Sequence, residues 1–87
     1  MYQIEFDDEW NKLFNELTPE MKKKVWKKIL QIESGLPGRH LRYGVDFFVE
    51  EVGQYRICYK SFEDKKIRRF YFVGNHKNYE KWIGLRK

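Results

Sequence analysis

Between residues 45 and 73 three runs of strand-forming residues follow one another closely: VDFFVEE, QYRICYK and KIRRFYFV. The stretches between them, around VG and FEDK, are short and turn-like, so each run is expected to fold back on the one before it as an antiparallel meander. Side chains on a strand alternate between two faces. In the middle run Ile57 and Tyr59 share one face, while Arg56, Cys58 and Lys60 share the other. In the last run the same alternation sets Phe70 and Phe72 against Arg69 and Tyr71. One face of this sheet therefore needs an apolar cover, and the other is expected to show arginine, lysine and tyrosine.

The cover lies upstream. After the initiator methionine, YQIEF alternates with Tyr2, Ile4 and Phe6 on one side and reads as a short strand. DDEW then places carboxylates at a helix start, where the helix dipole favours them. Trp10, Leu13, Phe14 and Leu17 follow at helical spacing. Thr18 and Pro19 suit the cap and first position of a second helix, whose apolar stripe is Met21, Val25, Trp26, Ile29, Leu30 and Ile32, with Gly35 as its stop. The loop SGLPGRHLRYG leads into the meander, and NHKNYEKWIG ends the chain as a turn or short helix over the basic face or its edge. The expected architecture is α+β in a single domain over residues 1–87. An N-terminal strand and a two-helix hairpin precede a three-strand meander that completes a four-stranded, mostly antiparallel sheet. Trp10, Trp26 and Trp82 are expected in the core.

Aromatic residues make up 18% of the chain, enough ring area for a compact core although 36% of residues are charged. The lone cysteine, Cys58, excludes an intramolecular disulfide, and no Cys/His cluster has zinc-ligand spacing. The N-terminus has no signal-peptide pattern, and no segment approaches the ~18 apolar residues of a membrane span. A cytoplasmic protein without membrane or cofactor is expected. Charge is unevenly shared: residues 1–52 carry 8 Lys and Arg against 10 Asp and Glu, residues 53–87 carry 10 against 3. A basic half on a small domain points to a polyanion, most often nucleic acid, the alternative being a solvated Lys/Glu surface. Lys22, Lys23, Lys24, Lys27 and Lys28 ride the outer side of the second helix, either as a solvated face or as phosphate contacts.

The stretch FYFVGNHKNYEKW, residues 70–82, poses a sharper question, because it releases His76, Lys77, Tyr79 and Trp82 just past a strand end. Taken in order with GRHLRYG and VGQYRICYK, it resembles the RelE/ParE superfamily of bacterial and archaeal toxins over nearly the whole chain. The resemblance implies a RelE-like fold. It implies a toxin of a type II toxin-antitoxin system, a ribosome-dependent mRNA endonuclease neutralised by a cognate antitoxin. The free toxin would be a monomer and the antitoxin complex hetero-oligomeric. ParE-like members act on DNA gyrase and lack a histidine-bearing site, so GNHKNY favours the RelE-like branch.

Cutting RNA without a metal needs a base for the 2′-hydroxyl, an acid for the leaving 5′-oxygen and cations for the phosphorane charge. No Asp/Glu cluster with metal-ligand spacing supports a two-metal route. Imidazole is the side chain suited to acid or base work near neutrality, so His76 is the candidate for proton transfer. The resemblance assigns Arg56 as the strand arginine, whose planar fork grips phosphate, and Tyr79 as the C-terminal tyrosine that stacks on a base or aids proton transfer. Lys60, Arg69 and Lys77 are candidate RNA-binding cations. Each has a plainer reading: His76 as a turn cap, Arg56 as partner of Glu50 or Glu51, Tyr79 as packing beside Trp82. His40 reads as structural. The chain departs from the resemblance where RelE-like toxins carry lysines before the arginine strand, since Phe47 and Val49 occupy roughly those places. A reduced set of Arg56, His76 and Tyr79 remains, and a gyrase-directed toxin or an RNA-binding regulator stays open as the alternative. An antitoxin would carry acidic residues and lie along the helix hairpin and sheet edge.

Overall fold

The computed structural model describes residues 2–33, 39–40 and 47–86. Its elements in chain order are β1 (Gln3–Phe6), α1 (Asp8–Asn15), α2 (Pro19–Glu33), β2 (Arg39–His40), β3 (Phe48–Val52), β4 (Tyr55–Phe62), β5 (Ile67–Asn75) and α3 (His76–Arg86). They form one sheet in the order β1-β5-β4-β3-β2. The four expected strands are present, joined at one edge by the two-residue β2, and β1 lies parallel to β5. The loop expected at SGLPGRHLRYG falls largely outside the described residues, as do Gly35 and the side chain of His40. Among the described residues no helix is long and apolar enough to cross a membrane.

Local chemistry sets the boundaries. Asp7 caps α1, its side chain accepting from the Glu9 amide, with Asp8 and Glu9 in the first turn. The Thr18 hydroxyl accepts from the Met21 amide at 3.2 Å, and Pro19 opens α2. Gly53 has φ +60° in the two-residue loop between Val52 and Tyr55, while Gln54 keeps a negative φ, the pattern of a type II′ hairpin turn. This turn places Tyr55 opposite Val52 and Arg56 opposite Glu51.

One face of the sheet packs on the helix hairpin. Trp10 of α1 and Val25, Ile29 and Ile32 of α2 meet Val52, Ile57, Tyr59, Phe70 and Val73. Arg68 is buried here: its Nη1 donates to the Ile32 carbonyl at 2.8 Å, and its guanidinium lies 3.8 Å from the Tyr2 ring centroid. It ties the end of α2 to β1 and β5.

Two expectations are corrected here. Phe70 and Phe72 do not share a face, because a bulge interrupts the ladder between Cys58 and Tyr59. Cys58 pairs with Phe72 and Tyr59 with Phe70, so Tyr71 is the extra residue and the alternation flips beyond it. The opposite face does not mainly show arginine, lysine and tyrosine, although the tail does cover it as a helix, one of the two forms expected. Phe72 joins Phe47, Val49, Cys58, Tyr79 and Trp82 in a second core, roofed by α3. Trp82 stacks on Phe72 at 5.0 Å, meets Phe47 edge-on at 4.9 Å, and donates its indole N–H to Glu9 at 2.5 Å. Trp10 and Trp82 are core, but Trp26 is 48% exposed. Its indole leans on Phe6 with ring centroids 6.2 Å apart, leaving one side of α2 apolar and open.

Candidate functional site

The site is built where β5 becomes α3 with no linker. Asn75, the last residue of the strand, caps the helix: its side-chain oxygen accepts from the Asn78 amide at 2.9 Å. His76 and Lys77 therefore occupy the first turn of α3, at the end where helix dipoles and free amides favour anions. Gly74 stands opposite Arg56 in the ladder. A Cβ at Gly74 would come within 2.8 Å of the Phe72 ring, so the missing side chain lets that ring lie back along the strand. Tyr79 packs on Phe72 with centroids 6.2 Å apart, and the Arg56 guanidinium lies 4.8 Å from the Tyr79 ring centroid. Glycine, phenylalanine, tyrosine and arginine thus stack outward from the sheet, and the last of them reaches solvent.

Arg56 also pairs with Glu51 across the hairpin at 3.8 Å. The His76 ring lies at 28° to Tyr79 with centroids 6.4 Å apart, and its Nε2 is 2.7 Å from the Glu80 carboxylate. Together Glu51, Gly53, Gln54, Tyr55, Arg56, Asn75, His76 and Lys77 line an open concavity of about 370 Å³. Beneath this end of the sheet Cys58 is inert, since burial pushes its thiol up to about 12 although Arg56 pulls the other way. Among the described residues no group of three or more His, Cys, Asp and Glu is placed to hold a metal ion.

Of the residues singled out in the sequence, Arg56, His76, Lys77 and Tyr79 come together here, with Tyr79 buried as the surface that carries Arg56. Lys60 and Arg69 do not join them. Four residues along β4 separate Lys60 from Arg56, or about 13 Å at the usual strand rise. The Lys60 ammonium lies over Phe47 and Tyr71 at 5.0 and 5.7 Å. Arg69 bridges Glu5 at 3.3 Å and Asp7 at 3.2 Å, and the Asp7 hydrogen bond is the main cause that raises its pKa further. That guanidinium fastens β1 and the start of α1 to β5. Glu80 and Asn75 are site residues that the sequence reading missed. Both had a visible signal, a carboxylate four residues after a histidine and an asparagine three residues before a helical amide.

The isolated RelE toxin of E. coli superimposes on this chain with a TM-score of 0.77, covering 100% of both chains at 18% identity. The fold is that of the RelE toxins. The toxin-antitoxin complex RelBE of E. coli matches with a TM-score of 0.77 at 20% identity, over 86% of this chain and 96% of that one. The archaeal RelE-RelB complex of Pyrococcus horikoshii gives 0.71 at 13% identity, over 85% and 93%. No protein-family model and no curated protein matches the sequence. At these identities the kinship with RelE is one of backbone architecture, and the side chains of the site must speak for themselves.

Proposed function

We propose that this chain is the toxin of a type II toxin-antitoxin pair, acting as a metal-independent endoribonuclease on mRNA held in the ribosome. The observation that carries this reading is the convergence of Arg56, His76 and Lys77 on one open concavity of a RelE fold. Arg56 offers a planar fork to the phosphate and, with Lys77 and the α3 terminus, a positive field for the phosphorane. His76 transfers the proton. Attack by the 2′-oxygen forms a new bond to phosphorus and breaks the bond to the 5′-oxygen, leaving a 2′,3′-cyclic phosphate and a 5′-hydroxyl. The ribosome holds the substrate in attacking geometry, so few protein groups suffice. Phe47 and Val49 are buried beneath α3, which accounts for the absence of lysines there.

Incubating the purified chain with mRNA-programmed ribosomes is expected to produce cuts bearing cyclic-phosphate ends, and none on the same mRNA without ribosomes. Intact mRNA on ribosomes would move the chain to the non-catalytic class.

The proposed partner is an antitoxin with an acidic amphipathic segment. Trp26 and Leu30, 48% and 49% exposed one turn apart on α2, form an open apolar strip on a helix that also carries Lys22, Lys23, Lys24, Lys27 and Lys28. An acidic helix or extended segment would complement that charge and cover the apolar rings. Co-expression with a neighbouring small acidic gene product is expected to give a tight complex, weakened at least about tenfold by Trp26→Asp. If the two proteins ignore each other at micromolar concentration, the partner assignment fails.

A further inference from the structure

His76 and Glu80 stand one turn apart on the same side of α3, with Nε2 of the ring 2.7 Å from the carboxylate. Long side chains on a helix lean toward the N-terminal turn, so Glu80 reaches back to the imidazole. Tyr79 limits the ring from another side. This carboxylate has a cost to a polyanion-binding surface. It puts negative charge one turn from the concavity and weakens the field of Arg56 and Lys77. For phosphate affinity alone, a neutral residue at position 80 would serve better.

We infer that Glu80 is a positioning residue for His76: it holds the ring proton on Nε2 and leaves Nδ1 as the nitrogen that exchanges a proton with RNA. This role rests on the nuclease reading above. In a neutral imidazole one nitrogen carries the proton and the other the lone pair, and the tautomer follows the hydrogen bond that the ring makes. With Nε2–H donated to Glu80, the lone pair stands on Nδ1, where it can take the 2′-hydroxyl proton. In the cationic ring the same atom is a donor toward the leaving 5′-oxygen, and Glu80 faces the full positive charge. As base, Nδ1 takes the 2′-hydroxyl proton while water protonates the leaving 5′-oxygen. The hydroxide so formed takes the proton back from the ring. As acid, the cationic ring protonates the 5′-oxygen while water takes the 2′-hydroxyl proton and returns it to the ring. An unoriented ring would divide its lone pair between two nitrogens, only one of which reaches the phosphate in a given pose.

The pair is largely exposed, with side chains 57% and 65% accessible, so in the free protein its effect on the tautomer ratio is about twofold. With RNA in place and water displaced the same contact strengthens, and the effect on cleavage is expected at about tenfold. The test is ¹⁵N NMR of the His76 ring in the intact protein, at a pH where the ring is neutral. Wild type is compared with Glu80→Ala and Glu80→Gln, alongside single-turnover cleavage and ribosome binding.

Wild type should hold the Nε2–H tautomer more strongly than Glu80→Ala does, by about twofold. Glu80→Ala should relax toward Nδ1–H and cleave more slowly, while binding ribosomes as well or better. Glu80→Gln, whose amide oxygen can accept the same hydrogen bond, should recover the tautomer and part of the rate. An unchanged tautomer ratio in Glu80→Ala overturns the positioning role, and so does wild-type cleavage by that variant. Absence of cleavage by wild type itself would instead overturn the nuclease reading, and this role with it.

Discussion

Replacing His76 by alanine is expected to slow the cleavage step by about 10²–10⁴-fold, the usual scale for lost acid-base help, with ribosome binding almost unchanged. One imidazole adds little to polyanion affinity beside Arg56 and Lys77, and His76 is exposed at the start of α3, so the fold should not notice its loss. Arg56→Ala should fail differently. It removes a phosphate contact, so cleavage and binding both weaken. Arg56→Lys should restore binding more than rate, because lysine keeps the charge and loses the fork. Tyr79→Phe separates two roles for the tyrosine. If the ring serves as the bed on which Arg56 lies, at 4.8 Å, phenylalanine retains most of the rate. A loss on the scale of His76→Ala would give the hydroxyl a share in proton transfer. Wild-type rates from His76→Ala would show that GNHKNY is only a capped strand end.

Trp82→Ala is expected to have the largest effect on stability. The indole is buried between Phe72 and Phe47 and hydrogen-bonded to Glu9. Removing a ring of this size from a core costs about 3–5 kcal/mol, a large part of the roughly 5–15 kcal/mol that holds a typical domain together. The loss should not be spread evenly. Helix α3 is held mainly by Tyr79 and Trp82, so it should loosen first and carry His76 and Lys77 away from Arg56. Urea unfolding together with hydrogen exchange of the α3 amides reads both effects. Retained protection in α3 and a change below about 1 kcal/mol would show that other contacts hold the helix. Trp82→Phe keeps the stack without the N–H and should fall between.

The helix hairpin and the meander were legible because their periods are strong. Trp10, Val25, Ile29 and Ile32 repeat at helical spacing, and Ile57 and Tyr59 at strand spacing. What escaped was any departure from a period. The bulge at Tyr71 shifts the ladder by one residue, and a one-residue shift sends every later side chain to the other face. Nothing in FYFV announces it. A turn or short helix over that face or its edge was expected, but not the second core it seals, because in α3 Tyr79, Trp82, Ile83 and Leu85 stand among charged residues. That stripe is too short to outweigh the turn chemistry of GNHKN. Trp26 failed in another way: helical phase placed it beside the core without showing that none of the described elements reaches over it.

Residue type singled out Arg56, His76 and Lys77, which the fold brings to one concavity. It could not find their spacing. Lys60 and Arg69 share the basic half of the chain with the site yet serve elsewhere. Carboxylates sixty residues upstream, Glu5 and Asp7, claim Arg69.

The parallel pairing of β1 with β5 has a consequence for the birth of the protein. Gln3 lies beside Ile67 and Phe6 beside Phe70, so the first strand of the chain waits for a partner made some sixty residues later. At about 5–20 residues per second that wait lasts several seconds on the ribosome. During it the helix hairpin can form, since its contacts are local, but the sheet beneath it cannot close. The concavity is later still, because Arg56 has no Tyr79 to lie on until the C-terminal helix emerges. Under the proposed function, the candidate site comes together only after the sheet and α3 have formed, so a partly folded chain would lack it.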